Sequence, residues 1–249
     1  MKKVIYTVLT GNYDCLEQPR AVDSTFDYVC FTDKAGQDGV WQLREIPFEG
    51  SSVLRARWAK LHPQELLPKY DLSVFMDANL CIASPFFYDQ VAACPAPLAL
   101  LEHPQRDCVY EELRYCYLKD KISTTSAVSL WKKLKGMGMP EHAGLYETNV
   151  VLRRHNLPEV VALDQLWWEL LLDSGGTRDQ LALTPALYQL GQQPSLLFGP
   201  GLNARNVDCV RYVNHPATGK ENVPGKLNWA NAKYNIRLLW RKSVLLCLR

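Results

Sequence analysis

Leu72-Ser73-Val74-Phe75-Met76-Asp77-Ala78-Asn79 is an apolar run that ends in two oxygen-bearing side chains at i and i+2. A short apolar run closed by a polar turn reads as a buried strand, and the strand period of two places Asp77 and Asn79 on the same side. Similar runs recur at residues 4–9, 28–31, 98–101, 150–152 and 209–213, each bounded by polar, Gly or Pro residues. Helical stretches are expected between them. Residues 52–67 put Leu54, Trp58 and Leu61 on one face, 107–118 can open on an Asp cap, and 123–134 stops before Gly136 and Gly138. Two further helices, 163–173 and 179–190, flank the Ser174-Gly175-Gly176 break. Strand and helix alternate, which predicts an α/β fold with a largely parallel central sheet.

The chain has 249 residues, enough for one sizeable core, and no repeat or Pro/Gly/Ser linker divides it. One domain over 1–249 is expected, with a basic C-terminal helix over 226–249 carrying Lys233, Arg237, Arg241, Lys242 and Arg249. In that helix Ile236, Leu239, Trp240 and Cys247 share a face while Leu238 and Leu245 lie opposite. Docking on its own domain and peripheral contact with a membrane surface or a partner both stay open. Apolar residues make up 47% and charged residues 22%, which excludes disordered, collagen-like and coiled-coil classes. With 28 Lys plus Arg against 26 acidic residues, the net charge of +2 is too small for a whole-surface nucleic-acid footprint. No apolar run approaches the ~18 residues of a membrane span, and the start lacks the apolar stretch of a secretory signal, so a cytoplasmic location is expected. Eight cysteines (15, 30, 81, 94, 108, 116, 209 and 247) form no CxxC pair, so they are read as reduced and mostly buried.

In open α/β sheets ligands collect beyond the carboxyl ends of strands, and oxygen donors there suit a hard cation bridging phosphates. By themselves, an Asp and an Asn after a strand more often close a turn. Other segments agree with the first reading. Lys60-Leu61-His62, then Leu66, Leu67 and Tyr70, then Val74 through Asn79, resemble the donor-binding core of family 8 glycosyltransferases, including the glycogenins, which carry Asp-x-Asp at that place. Asn149-Val150-Val151-Leu152 resembles their second strand motif, Asp179-Gln180 their Asp-Gln motif, and His215 with Gly219-Lys220 their late His/Gly/Lys loop.

A closer resemblance, over residues 4–183, is to a family of plant and bacterial glycosyltransferase-like domains, linked in plants to mucilage or wall polysaccharides and once labelled alkaline ceramidase. It rests on Tyr6-Thr7-Val8-Leu9-Thr10-Gly11-Asn12-Tyr13-Asp14, Cys30-Phe31-Thr32-Asp33, Arg55-Ala56-Arg57-Trp58-Ala59-Lys60 and Asp77-Ala78-Asn79. It rests also on His103-Pro104-Gln105-Arg106-Asp107-Cys108-Val109-Tyr110-Glu111-Glu112, Gly144-Leu145-Tyr146-Glu147-Thr148 and Arg178-Asp179-Gln180. The resemblance implies a single-domain fold of the GT-A (nucleotide-diphospho-sugar transferase) type. It implies transfer of a sugar from a nucleotide-diphosphate sugar to a hydroxyl of a glycan or lipid-linked glycan, in cell-surface polysaccharide synthesis. It further implies a Mn²⁺ or Mg²⁺ ion held by Asp77, Asn79 and His215. Asn79 departs from Asp-x-Asp: the amide keeps an oxygen ligand but removes a charge, which weakens the cation site or abolishes it.

Physical roles follow for the candidate residues. Thr10 and Tyr13, after the first strand, offer a hydroxyl and an aromatic face to a nucleotide base, and Asp33 an acceptor to base or ribose, against the alternative of an ordinary turn at Gly11 and Asn12. Arg57 and Lys60, three apart on a helix, can clamp a diphosphate or form a solvated face. By resemblance Gln180 and Lys220 join the donor site. His103, Arg106, Glu111 and Glu112 surround a strand end and the next helix, where they can meet sugar hydroxyls of the acceptor. Glu147 and Asp179 are the carboxylates for chemistry, with Lys60, and their alternatives are a structural hydrogen bond and a first-turn helix charge. Two other classes remain. A sugar-nucleotide binding module without catalysis is consistent with Asn79. An amidase or ceramidase-type hydrolase lacks support, since neither Gly-x-Ser-x-Gly nor HExxH occurs.

Overall fold

The computed structural model describes residues 1–11, 15–213 and 240–244. The chain runs through β1 (Lys3–Leu9), β2 (Phe26–Thr32), β3 (Gly36–Asp38), β4 (Trp41–Glu45), α1 (Ser52–Leu61), α2 (Pro63–Leu66), β5 (Leu72–Met76), β6 (Leu80–Ile82) and α3 (Phe86–Ala93). It continues through β7 (Leu98–Glu102), α4 (Val109–Leu118), α5 (Thr124–Gly136), β8 (Tyr146–Arg153), α6 (Pro158–Asp173), α7 (Gln180–Leu190), β9 (Ser195–Leu196) and β10 (Val210–Tyr212).

Eight strands form one sheet in the order β3-β4-β2-β1-β5-β8-β7-β9, and β6 pairs with β10 in a small second sheet. Strands β4, β2, β1 and β5 are parallel neighbours, as are β7 and β9. The expected α/β architecture with a mostly parallel central sheet is what the chain has. Within it β3 is reversed at the edge and β8 is reversed in the middle, antiparallel to both β5 and β7. Residues 150–152 are therefore part of a longer strand whose direction no hydrophobic pattern encodes. Residues 209–213 form the short β10, outside the main sheet.

Alternation along the strands builds two layers. Val4, Tyr6, Phe75 and Val151 pack with Trp58 and Leu61 of α1, Leu163 and Trp167 of α6 and Leu183 of α7. Ile5, Val74, Val150 and Leu152 pack on the other face with Phe87 and Val91 of α3 and with Leu197 and Val210. A third cluster joins α4 and α5 to Leu181 of α7.

Local rules set several helix ends. Ser51 caps α1 by accepting from the Leu54 amide at 3.3 Å, and Ser123 caps α5 by accepting from the Ser126 amide at 3.0 Å. The single helix expected over 52–67 is broken, because Pro63 has no amide to donate and forces His62 out of helical geometry. Asp107 is not the cap of α4. Cys108 holds that position, and the Asp107 carboxylate pairs instead with His142 Nδ1 at 2.6 Å. Helix α6 begins earlier than expected, with Pro158 in the first turn where a missing amide does no harm. All cysteines among the described residues are free, and only Cys15 is exposed. No helix among them is long and apolar enough to cross a membrane. Of the expected C-terminal helix only residues 240–244 are described, and they are helical. There Arg241 donates to the Tyr117 carbonyl and pairs with Asp120, and Val244 packs against the α4–α5 cluster, so this part docks on the chain's own surface.

Candidate functional site

The carboxyl ends of β1, β2, β5 and β7 share one edge of the sheet with the amino end of the reversed β8. Register makes this explicit, with Tyr146 opposite Glu102 and Val150 opposite Met76. Thr10, Asp33, Asp77, His103 and Glu147 therefore come from distant segments to one edge. The switch point lies beside β1, whose chain continues on one side into β2 and returns on the other as β5, and it is here that such sheets open a crevice.

At this point four charged side chains converge. Lys60, on the last turn of α1 and 2% exposed, places Nζ 2.6 Å from Asp179 Oδ2, 3.9 Å from Asp77 Oδ1 and 4.5 Å from the centre of the Phe75 ring. Arg57 lies one turn earlier, with Nη1 3.3 Å from Asp179 Oδ1. Asp179 is the N-cap of α7 but makes no side-chain cap bond; its carboxylate is turned toward the two cations. Burial opposes its ionisation, but Arg57 and Lys60, with a hydrogen bond from Thr148, outweigh that and hold it well below the usual carboxylate range. Trp167 Nε1 donates to the Asp179 carbonyl at 2.7 Å and fixes the start of α7, and Gln180 Nε2 reaches the Tyr146 carbonyl at 2.9 Å.

The corner after β1 and β2 is tied together internally. Thr10 donates its hydroxyl to the Ser52 carbonyl at 2.9 Å, and Asp33 accepts from the Gly11 amide at 2.9 Å and pairs with Arg55 at 2.6 Å. Gly11 has φ +65, and a Cβ there would sit 2.9 Å from Ser52 Oγ, so the approach of this loop to α1 needs glycine. Tyr13, His215 and Lys220 lie outside the described residues.

Asn79 is buried, and its Nδ2 donates to the Val213 carbonyl at 3.0 Å while its main-chain carbonyl accepts from the Val213 amide at 2.9 Å. A carboxylate cannot donate, which gives a physical reason for amide rather than acid at this position. A Mn²⁺ or Mg²⁺ ion needs several oxygen donors. Asp77 faces Lys60, the Asn79 bond to Val213 engages Nδ2 and not the amide oxygen, His215 lies outside the described residues, and among the described residues no group of three or more His, Cys, Asp or Glu is placed to hold a metal ion. The described donors do not by themselves make a cation site.

Glu147 is buried at the start of β8, where it pairs with Arg205 and accepts from Asn149 Nδ2 at 3.2 Å. The register of β7 against β8 shifts between Ala99 and Leu101. Beside it lies a cleft of about 360 Å³, lined by Glu102, His103, Arg106, Glu111, Gly144 and Tyr146 among others. Its polar walls are held in place. Arg106 Nε donates to Glu112 Oε2 at 2.6 Å and its guanidinium lies 4.2 Å from the Tyr115 ring centre, while Glu102 accepts from the Gly201 amide at 2.7 Å. His103 Nδ1 accepts from the amides of Gln105 and Arg106 at 3.3 and 3.0 Å, so in the neutral ring the proton is on Nε2. Burial lowers the His103 pKa, against the pull of Glu112, and keeps that neutral form.

The structure thus brings Arg57, Lys60, Asp77 and Asp179 together, sets Gln180 between them and the cleft, and places Glu147 beside the cleft with His103, Arg106 and Glu111. It also adds residues that the sequence does not signal. Arg205 has no motif around it and is found only because its loop folds back onto β8. Arg153 and Asp164 likewise stand in no motif, while Tyr6 stands in one that gives no hint of its bond to α1.

No protein-family model matches the sequence, and no curated protein matches it. The apo structure of the WbbM bifunctional glycosyltransferase is similar at 10% sequence identity and a TM-score of 0.42, over 77% of this chain and 38% of that one. The chain thus spans well under half the length of that protein.

Proposed function

We propose that this chain is a glycosyltransferase of the GT-A type, a single domain that moves a sugar from a nucleotide-diphosphate sugar to a hydroxyl of a glycan or lipid-linked glycan. The motifs that resemble the plant and bacterial family support the class, and the link to polysaccharide synthesis rests on that resemblance alone. One observation carries the reading: Lys60 and Arg57 are gathered by the buried Asp179 beside Asp77, at the strand-order switch on the carboxyl edge. Sugar transfer leaves a diphosphate whose charge grows in the transition state. Cations already fixed at that point lower the barrier because they need no reorganisation.

Asp179, ionised throughout the working range, is then an orienting group for the two cations, since a general base works best with a pKa near the operating pH. Glu147 orients Arg205 in the same manner. The cleft takes the acceptor sugar, with His103 Nε2–H as a donor, Glu111 as an acceptor and the Tyr146 ring as an apolar face. Lys60 and Arg57 supply positive charge at the departing diphosphate.

The test is a calorimetric and thermal-shift panel of nucleoside diphosphates and their sugars, with Mn²⁺, Mg²⁺ or chelator, on wild type, Asp77→Ala and Lys60→Ala. The expected result is selective binding of one base, retained in chelator and weakened at least tenfold, about 1.4 kcal/mol, in Lys60→Ala. No response of the wild type to any nucleotide overturns the reading. An absolute need for cation and Asp77 returns the metal, with His215, to the mechanism. A second reading, a binding module without catalysis, is favoured by the commitment of Asn79 to Val213. It predicts the same binding with no turnover of donor sugar.

A further inference from the structure

Arg153, at the end of β8, and Asp164, in α6, form an ion pair at 2.7 Å with both side chains 0% exposed. Such a pair is an inefficient stabiliser, because desolvating two charges offsets most of their attraction. This one is also incompletely satisfied: Arg153 Nε and Asp164 Oδ2 find no hydrogen-bond partner among the described residues. Burial raises the Asp164 pKa against the pull of Arg153, a sign of the same strain. What the pair does achieve is geometric. Arg153 Nη2 donates to the Lys60 carbonyl at 2.7 Å and to the Tyr6 hydroxyl, and Tyr6 donates to the same carbonyl at 2.8 Å. Tyr6 from β1 and Arg153 from β8 thus hold the Lys60 carbonyl, and Asp164 from α6 holds Arg153; among the described residues Lys60 is the one whose ammonium reaches both Asp179 and Asp77.

The last turn of α1 is where such a grip matters. Lys60 is the penultimate residue of α1, and the last four carbonyls of a helix lack intrahelical partners. We propose that Tyr6, Arg153 and Asp164 are positioning residues, a buried clamp on the Lys60 carbonyl that aims the Lys60 ammonium into the donor site. The use of that aim rests on the function proposed above; the clamp itself does not.

Two readouts separate these. In the double variant Arg153→Met/Asp164→Leu the buried charges are replaced by apolar side chains, a change that cores commonly accept. Lysine-selective ¹H–¹⁵N spectra of the wild type should show a slowly exchanging Lys60 ammonium signal, identified by its loss in Lys60→Arg. In the folded double variant that signal should vanish into fast exchange. Binding of UDP, ADP and GDP, each compared with its nucleoside, should lose at least tenfold of the diphosphate preference. Tyr6→Phe, which removes one of the two donors to the carbonyl, should move both readouts the same way by less, and it decides the matter if the double variant does not fold. An unchanged Lys60 signal in a folded variant overturns the clamp. If the wild type binds none of these nucleotides, the donor-site reading falls and the ammonium signal alone judges the clamp.

Discussion

A carboxylate buried between two cations behaves unlike an exposed one, and Asp179 is the case that matters here. Its folded-state pKa lies below its unfolded one, so the stability it contributes is complete above the ordinary carboxylate range, about pH 4, and fades as pH falls further. Asp179→Asn leaves the buried Lys60 ammonium without its nearest carboxylate and unpairs the half-buried Arg57, and the expected loss at pH 7 is about 3 kcal/mol by urea unfolding. The gap between variant and wild type should narrow as the titration is carried below pH 4. A gap independent of pH would mean that Asp179 is not ionised in the folded protein. Asp77, Lys60 and Asp179 were all legible as candidates, because each stands in a motif. Their mutual geometry was not, since it joins α1, β5 and α7 across more than a hundred residues.

Among the elements, helix boundaries show how far local chemistry reaches. Ser123 caps α5 and Pro158 sits in the first turn of α6, each for reasons visible in a few neighbouring residues. Ser123→Ala removes the acceptor for the Ser126 amide and should lower stability by about 1 kcal/mol in a chemical melt, with nucleotide binding unchanged. A loss below a few tenths would mean that solvent replaces the cap without penalty. Asp107 shows where local reasoning stops. An Asp before a helix is a good cap, but His142, 35 residues away, takes its carboxylate. The strands β3, β4, β6 and β9 were equally invisible: within their bounds β3 has no apolar residue, β4 and β9 have no two in succession, and β6 is only three residues long.

At the scale of the whole molecule, one sheet separates two apolar layers, α1, α6 and α7 on one side and α3 on the other. Substitutions in different layers should therefore act independently. Leu61→Ala and Val91→Ala are each expected to destabilise, Leu61→Ala by about 2–5 kcal/mol, and the double variant should equal their sum within ~0.5 kcal/mol in urea unfolding. A larger coupling would mean that the layers communicate through the sheet. The sequence by itself determined the fold class, most core positions and the residues with chemistry to offer, because burial pattern and motif are properties of neighbouring residues. Only the tertiary structure decided the direction of β8, the commitment of Asn79 to Val213, the pairing of Glu147 with Arg205 and the grip of Tyr6 and Arg153 on Lys60. Each of these joins segments far apart in the chain, and no local energy term records which distant donor will meet which acceptor.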